Sequence, residues 1–361
     1  MMLVSIVSLL LLSNCQLIKE MEVGIQPVLD EATFYMPAEE ALHEGTWLQW
    51  PHNYTYRRHH QRHDETFIAM AKALHTGEKV HIIVYNEEEE NRVEELLIDA
   101  DLDMGQVDFF QWKTDDYWVR DNGPIFVYDE QDELVVQNWG FNGWGEKAAF
   151  SHCNQIPAKV AQGLGLPART VPMINEGGSV EIDGKGTLLA KRSSILNENR
   201  NPGLTQAQAE AYFKQYLGVS NFIWLEGYPG EEITDDHIDG TARFANAHTI
   251  VTNTEAEADP EEYAILKSAR NVDGEKYNIV HLPFTKYRLP SSRDHGIYIN
   301  FYVGNEVVLV PNFEDPNDAV ANAILQEIFP NRRVVGIPAI ELGLDGGGVH
   351  CVTQQQPVGR G

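Results

Sequence analysis

Cysteine, positive charge and long apolar runs are all scarce in this sequence. Only three cysteines occur among 361 residues, at Cys15, Cys153 and Cys351, so they form no even set and we expect no structural disulfide. Lysine and arginine number 27 against 54 acidic residues, a formal net charge of −27. A nucleic acid or an anionic membrane surface needs a basic footprint, so this balance argues against both as partners. It favours a cationic ligand.

The apolar run at the N-terminus is too short to cross a bilayer. It covers residues 1–12 and has the length of a signal-peptide core, although no basic segment precedes it. Cys15 follows closely and resembles a loose lipoprotein cleavage site. We therefore predict a signal-like or flexible segment over residues 1–30 and favour export, either to the periplasm or with a lipid anchor on Cys15. A cytoplasmic protein with a misassigned start is the alternative. No other stretch has the character of a transmembrane span.

The rest of the chain, residues 31–361, repeats one order of elements and predicts a single α/β domain. Each repeat reads helix, strand, polar loop and hairpin, as in the helix predicted to end near Ala100, the strand at 107–112 and the hairpin at 125–139. An apolar fraction of 43% is enough for a sizeable core.

The chemically interesting residues occur at the same place in successive repeats. Asp121, Glu176 and His237 lie 55 and 61 positions apart in successive polar loops, and Cys351 follows after 114 positions, about two repeats. Five modules fit if the loop near Asp294 carries no functional residue. Placed around a pseudo-fivefold axis, these loops would meet at one end, which predicts a five-module β/α propeller.

Cys351 is the candidate nucleophile. It follows three glycines at 346–348, which allow the backbone to approach a small ligand closely. Cysteine as a thiolate is the strongest nucleophile among the side chains, but a buried, inert cysteine is the ordinary alternative. Because neighbouring side chains of an extended chain point to opposite faces, we expect His350 to face away from Cys351.

Several acids accompany a histidine in the polar loops. His237 and Asp239 are two residues apart, so on an extended segment they face the same way. Asp121 and Glu176 add carboxylates from other loops, and such charges repel one another unless a cation lies between them. Zinc is one candidate, but close ligand pairs of the CxxC or HExxH kind are missing from the sequence. A planar guanidinium fits better, since its five donors pair with carboxylates and its central carbon can be attacked by a thiolate.

Six motifs occur in order over most of the chain. They are Trp118-x-Arg120-Asp121-x-Gly123-Pro124, Phe141-Asn142-x-Trp144-Gly145, Glu176-Gly177-Gly178, Asn199-Arg200-Asn201-Pro202, His237-x-Asp239 and Gly347-Gly348-x-His350-Cys351-x-Thr353-x-Gln355-x-Pro357. The set resembles the agmatine deiminase and bacterial-type peptidylarginine deiminase family, which belongs to the guanidine-modifying enzymes. The resemblance implies a five-module β/α propeller and hydrolysis of a guanidine to a ureido group and ammonia, without metal or organic cofactor.

The resemblance also implies a role for each matched residue. Cys351 is expected to form an S-alkylthiouronium intermediate, and His237 to act as general acid and then as general base. Asp121 and Asp239 are expected to clamp the guanidinium, and Glu176 to orient His237. Trp118, Gly347 and Gly348 are expected to contact the substrate. For Arg200 and Asn142 we favour structural support.

Two departures from the family pattern concern the substrate. Agmatine deiminases usually have glycine before the catalytic histidine, where this chain has Asp236. The peptidylarginine enzymes place arginines after the Phe-Asn segment, where this chain has the segment 143–146 without arginine. We expect a small cationic guanidino substrate, agmatine first, with peptidylarginine or free arginine as the alternative. A zinc-binding or catalytically inactive binding module is the alternative of another class. The sequence leaves open whether the chain forms a homo-oligomer.

Overall fold

Strands and helices alternate along the chain and build a mixed α/β fold, as the sequence predicts. The structure, a computed structural model, describes residues 34–55 and 60–360, and these fall in one compact unit. The signal-like segment predicted at residues 1–30, with Cys15, lies outside the described residues. Within the described ranges, no helix is both long and apolar enough to cross a membrane.

The described strands are short. They are β1 (Phe34–Tyr35), β2 (His43–Gln49), β3 (Lys79–Val84), β4 (Val107–Gln111), β5 (Ile125–Asp129), β6 (Leu134–Asn138), β7 (Ala168–Thr170), β8 (Val180–Ile182), β9 (Thr187–Lys191), β10 (Asn221–Leu225), β11 (Ala242–Asn246), β12 (Thr249–Asn253), β13 (Asn278–Leu282), β14 (Phe284–Arg288), β15 (His295–Ile297), β16 (Tyr302–Val303), β17 (Val307–Asn312), β18 (Arg333–Pro338) and β19 (Gln354–Pro357).

The described helices range from single turns to 13 residues. They are α1 (Asp64–Leu74), α2 (Glu87–Asp99), α3 (Val119–Asn122), α4 (Gly143–Glu146), α5 (Ile156–Leu164), α6 (Arg192–Ile195), α7 (Gln206–Leu217), α8 (Pro260–Ser268), α9 (Pro316–Ile328) and α10 (Ile340–Leu344). Short 3-10 turns cover His60–His63, Met104–Gln106, Cys153–Gln155, Gly177–Ser179 and Ile238–Gly240.

Five of the six sheets of the described chain share one pairing pattern, an antiparallel pair followed by a parallel strand. The antiparallel pairs are β5–β6, β8–β9, β11–β12, β16–β17 and β19–β2, and the parallel partners added to them are β7, β10, β13, β18 and β3. A helix of the described chain intervenes before each parallel partner, as a crossover connection requires. The sixth sheet is the separate hairpin β14–β15.

Local sequence explains where the longer helices begin. In α2, the Asn86 side chain accepts a hydrogen bond from the backbone N–H of Glu89 at 3.0 Å, and four glutamates fill the first turn, where the helix dipole favours negative charge. The acidic run therefore stabilises the start of this helix. In α7, Thr205 and Gln208 form a capping box, and Gly218 ends the helix with a φ of 72°.

The helices and sheets pack apolar faces together and leave the polar loops at the strand ends. One core cluster joins Phe67 and Met70 of α1 to Ile82 of β3, and another joins Phe213 of α7 to Leu188 of β9. Burying such side chains stabilises the fold by about 1.5–3 kcal/mol each. The framework that carries the polar loops is therefore held by packed layers.

The candidate residues follow the last strand of successive sheets. Asp121 follows β4, Glu176 follows β7, His237 follows β10 and Cys351 follows β18. The sequence pattern predicts a strand at 170–174, which is wrong in position. The pairing with β6 ends at Thr170, and Val171 adds a single backbone hydrogen bond to the carbonyl oxygen of Asn138 at 2.9 Å.

Candidate active site

Cys351 lies in the turn between α10 and β19 and is half-buried. Its Sγ accepts a hydrogen bond from Nδ2 of Asn300 at 3.2 Å. Oδ1 of the same asparagine accepts the backbone N–H groups of His350 and Cys351 at 3.0 and 3.2 Å. Asn300 therefore fixes both the thiol and its backbone.

Asn300 is a residue that the sequence reasoning missed. We expected the loop near Asp294 to carry no functional residue, and Asp294 is indeed exposed. Six residues later, however, the chain places a fully buried asparagine against the nucleophile. An isolated Asn has no recognisable spacing, so only its position before β16 in the same module could have pointed to this contact.

Asp239 lies on the other side of the thiol. Its Oδ2 is 3.6 Å from Sγ of Cys351 and 2.8 Å from Nδ1 of His350. Burial opposes the charged carboxylate, but the hydrogen bond and charge of His350 outweigh burial and lower the pKa of Asp239 to about 2. Residues 349–352 form a turn and not the extended segment that we expected, and the ring of His350 contacts the same oxygen of Asp239 that lies near the sulfur.

His237 lies between two carboxylates. Its Nε2 is 3.2 Å from Oε2 of Glu176, and its Nδ1 is 3.6 Å from Oδ1 of Asp121. Burial disfavours the imidazolium, but the charges of Asp121 and Glu176 outweigh it and raise the pKa of His237 to about 9. At neutral pH this ring carries two protons.

We expected the segment that carries His237 and Asp239 to be extended, but only part of it is. His237 has extended backbone angles, but Ile238–Gly240 form a 3-10 turn. The two side chains nevertheless approach a common point near Gly178. A Cβ on this glycine would lie 2.8 Å from Nδ1 of His237, 2.8 Å from Oδ1 of Asp121 and 3.1 Å from Oδ2 of Asp239. The three side chains therefore pack directly against the backbone of Gly178, where even a methyl group would not fit.

Asp121 is held by neutral donors. Nε1 of Trp144 donates to its Oδ2 at 2.9 Å, and the backbone N–H of Gly178 donates to its Oδ1 at 3.2 Å. Burial is the largest influence on this carboxyl and raises its pKa to about 6, although His237 opposes the change. Asp121 therefore takes up a proton far more readily than Asp239 does.

The thiol of Cys351 is difficult to ionise in this environment. Burial raises its pKa well above the usual range, and the charges of Asp239 and Asp121 raise it further. Hydrogen bonds from the Gly348 backbone and the Asn300 side chain act in the opposite direction. A cationic ligand between the two carboxylates would offset part of this effect.

The glycines before the cysteine allow close packing. A Cβ at Gly347 would lie 2.5 Å from Cζ3 of Trp118, and one at Gly348 would lie 2.6 Å from Oδ1 of Asn300. Trp118 is half-buried beside this loop. The glycines bring backbone against a tryptophan and against the asparagine that holds the thiol.

Comparisons with known proteins agree over nearly the whole chain. The family model described as Porphyromonas-type peptidyl-arginine deiminase matches residues 35–357. The chain belongs to this family. An agmatine deiminase of Pseudomonas aeruginosa strain LESB58 is 33% identical over 360 residues, which cover 91% of this chain and 96% of that protein. The predicted membership of the deiminase family is confirmed.

Solved structures of family members share the fold. The agmatine deiminase of Enterococcus faecalis superposes with a TM-score of 0.81 at 26% identity, covering 90% of this chain and 98% of that one. The C. jejuni agmatine deiminase gives a TM-score of 0.78 at 26% identity, covering 91% and 97%. The fold that carries this site is therefore that of the deiminases.

Behind the histidine of this deiminase lies a buried ion-pair network. Nε of Arg200 donates to Oε1 of Glu176 at 2.8 Å, and its NH1 group bonds to Asp235. Burial opposes ionisation of Glu176, but His237 and Arg200 lower its pKa below the usual value. Arg200 thus supports Glu176, as expected for a structural residue. Asn142 also matches that expectation, because it caps α4 and donates to the backbone oxygen of Asn199 at 2.9 Å.

The residue before His237 departs from the agmatine deiminase pattern for a visible reason. Asp236 has a φ of 71°, in the left-handed region that favours glycine and that aspartate tolerates. Its carboxylate accepts hydrogen bonds from Nζ of Lys191 at 2.8 Å and from the backbone N–H of Tyr228 at 3.1 Å. Aspartate lacks the conformational freedom that glycine has at this position, and an ion pair with a buried lysine compensates for it.

Proposed function

We propose that this protein hydrolyses the guanidino group of agmatine to give N-carbamoylputrescine and ammonia. The observation that carries the proposal is the convergence of a thiol, an imidazolium and two carboxylates around Gly178. Relatives 33% identical are agmatine deiminases, and the charge of −27 suits a cationic substrate.

Asp121 and Asp239 clamp the guanidinium. A guanidinium presents five N–H donors in one plane, and carboxylates accept them in pairs. Both acids pack against the backbone of Gly178, so their carboxylates lie close to each other in this cluster. The positive charge of the substrate would relieve the repulsion between the two carboxylates and favour the thiolate of Cys351.

Once substrate is bound, the thiol of Cys351 loses its proton to solvent, and the thiolate attacks the central carbon of the guanidinium. A C–S bond forms, and His237 donates a proton to one terminal nitrogen, whose C–N bond breaks as ammonia leaves. The product is an S-alkylthiouronium on Cys351. Asn300 holds the sulfur in place by its hydrogen bond, and Glu176 orients the imidazole.

Water completes the reaction. His237, now neutral, accepts a proton from the water that attacks the thiouronium carbon, and the C–S bond breaks to release the ureido product. The second proton of that water passes to the departing sulfur, so Cys351 returns to the thiol. Trp118 packs on the alkyl chain of the substrate, and the backbone at Gly347 and Gly348 forms the adjoining wall. We infer that neither a metal nor an organic cofactor takes part.

A small amine substrate fits better than a peptide carboxylate. The segment Gly143–Glu146 carries no arginine, and it instead turns Trp144 onto Asp121. The neighbouring Lys147 is already engaged, because its Nζ lies 2.6 Å from Oδ2 of Asp235 and 3.0 Å from the backbone oxygen of Ile233. Neither feature provides a cation for a substrate carboxylate.

We further infer that residues 31–361 form a single five-module β/α propeller. The support is the pairing pattern repeated in five sheets and the position of one polar loop after each. The fifth sheet joins the C-terminal strand β19 to β2, as closure of a ring requires.

Ammonia release from agmatine, free arginine and arginyl peptides tests the substrate. We expect agmatine to give the highest kcat/KM and to yield N-carbamoylputrescine by mass spectrometry. Preference for an arginyl peptide would replace agmatine with a peptidylarginine substrate, and no turnover of any guanidine would contradict the proposal.

Cysteine variants test the mechanism in the same assay. Cys351→Ser should abolish turnover, because a hydroxyl is a far weaker nucleophile here. Cys153→Ser is the matched control, since burial raises the pKa of the Cys153 thiol to about 12 and its sulfur contacts the side chain of Gln49 and the backbone N–H of Asp115. Near-native turnover by Cys351→Ser would disprove the thiouronium route.

A further inference from the structure

His350 forms a bridge between two carboxylates behind the thiol. Its Nδ1 lies 2.8 Å from Oδ2 of Asp239, and its Nε2 lies 2.9 Å from Oε2 of Glu39. The ring is almost fully buried, at 2% exposure. The backbone N–H of His350 is held by Asn300 at 3.0 Å, so both ends of this residue are constrained.

Glu39 is itself firmly anchored. Its Oε2 accepts from Arg243 at 2.8 Å and from Arg120 at 3.3 Å, while its Oε1 accepts the backbone N–H of Val303 at 2.8 Å. Burial opposes its ionisation, but the Arg243 guanidinium and His350 hold the pKa of Glu39 well below its usual range. Glu39 is therefore an ionised acceptor that gives the imidazole a fixed support.

Asp239 divides its two oxygens between different partners. Oδ2 receives His350 and faces the sulfur of Cys351 at 3.6 Å. Oδ1 has no hydrogen-bond partner among residues 34–55 and 60–360. The contact with His350 thus fixes the rotation of the carboxylate and leaves one oxygen available to a ligand.

We propose that His350 is a positioning residue that orients Asp239 for the substrate guanidinium, with Glu39 as its fixed anchor. The two ring nitrogens face two carboxylates, one on each side of the ring. The ring also lies 3.9 Å from Glu181, which pairs with Arg243 at 2.6 Å, and Arg120 donates to the backbone oxygen of His350 at 3.3 Å. This role rests on the deiminase function proposed above and explains how a residue beside the nucleophile acts without touching it.

Two variants separate the two hydrogen bonds. In His350→Asn, the side-chain nitrogen takes the place of Nδ1 and keeps the contact with Asp239. In His350→Gln, the nitrogen takes the place of Nε2 and keeps the contact with Glu39. His81→Gln is the matched control, because His81 is also buried and lies 2.8 Å from Glu44 and 3.3 Å from Asp108, away from Cys351.

The readout is the rate at which Cys351 is alkylated by two reagents, a cationic haloacetamidine and neutral iodoacetamide. Both reagents need the thiolate, so changes in thiol ionisation cancel in the ratio of their alkylation rates. The ratio therefore measures how well the site binds a planar cation. We expect His350→Gln to lower this ratio, and kcat/KM for agmatine, by about 10- to 100-fold, the usual equivalent of a hydrogen bond to a charged group. His350→Asn keeps the contact with Asp239 but loses the Glu39 anchor, so it should lower the ratio less than His350→Gln does, and His81→Gln should stay within about threefold of the native ratio.

Several outcomes decide the inference. An unchanged ratio and unchanged KM in folded His350→Gln would overturn it, as would equal losses in His350→Gln and His350→Asn. If His350→Gln does not fold, Glu39→Gln replaces it, and an unchanged ratio there would overturn the anchor role. A native protein that turns over no guanidine and shows no preference for the cationic reagent would refute the proposed function. If the native protein has both properties, the His350 variants test the positioning role of His350 separately from the proposed function.

Discussion

Two side chains in the pocket have pKa values that bracket neutrality. Burial raises the pKa of Asp121 to about 6, and despite burial the neighbouring acids raise the pKa of His237 to about 9. Between these values Asp121 is ionised and His237 holds its proton. Those are the states that a guanidinium clamp and a general acid require.

The first prediction follows for the pH dependence of kcat/KM. We expect the rate to rise through about pH 6 and to fall above about pH 9. Glu176→Gln removes one of the charges that raise the pKa of His237, so its upper limb should move to lower pH. Measured pH–rate profiles decide this. Glu262→Gln is the control, because that buried acid pairs with Lys191 instead.

The same shift links His237 to stability. Its folded pKa of about 9 exceeds the ordinary value of about 6.5. Its contribution to the free energy of unfolding is therefore complete below pH 6.5 and is lost as the pH rises through 9. Glu176→Gln should flatten this decline in denaturant titrations. A Glu176→Gln profile identical to that of the native protein, in rate and stability, would refute the pairing.

Sequence reasoning found the charged members of the site and missed their supports. Cys351, His237 and the acids can be recognised in the sequence from their side-chain chemistry and from the repeat spacing. Glu39 and Asn300 do not, because each acts through hydrogen bonds to residues far away in the chain. Only the folded backbone brings such partners together.

Strands and helices of this protein were largely predictable from local pattern. The sequence pattern predicts a helix at 317–328 and a strand at 333–338, and these occur as Pro316–Ile328 and Arg333–Pro338. The pattern also predicts a hairpin at 297–310, which is wrong in detail, since Ile297 belongs to β15, which pairs with β14, whereas β16 pairs with β17. Partner choice depends on tertiary contacts that periodicity does not encode.

A second prediction concerns the loop between β10 and the 3-10 turn. Asp236 has a φ of 71°, where a Cβ costs about 1 kcal/mol unless the side chain compensates locally. Asp236→Gly should retain activity, because Lys191 keeps Glu262 at 3.2 Å. Asp236→Ala should be less stable than Asp236→Gly by about 1 kcal/mol in urea unfolding. Equal stability of the two variants would show that the backbone conformation does not constrain this position.

At the scale of the whole molecule, the N-terminal boundary of the domain is testable. The family match begins at residue 35, and Glu39 already pairs with Arg243 and His350. A chain that begins at residue 31 should fold and keep its kcat/KM within about twofold, as expected when no site residue is lost.

A chain that begins at residue 46 is the counterpart. It lacks Glu39 and leaves the buried Arg243 with one acid fewer, a loss of about 3–5 kcal/mol when a buried pair is broken. Circular dichroism, thermal melting and ammonia release compare the two chains. Full activity of the shorter chain would contradict the support assigned to Glu39.

The bond between Glu39 and His350 spans 311 positions of the sequence. Closing so large a loop costs entropy that no local contact repays, so the pairing belongs to the last steps of folding. Partly folded chains that already contain helices and sheets would therefore hold neither Asp239 nor the Cys351 thiol in its native position. Recovery of catalysis during refolding should lag behind recovery of secondary structure, and the enzyme should be inactive until Glu39 and His350 have paired.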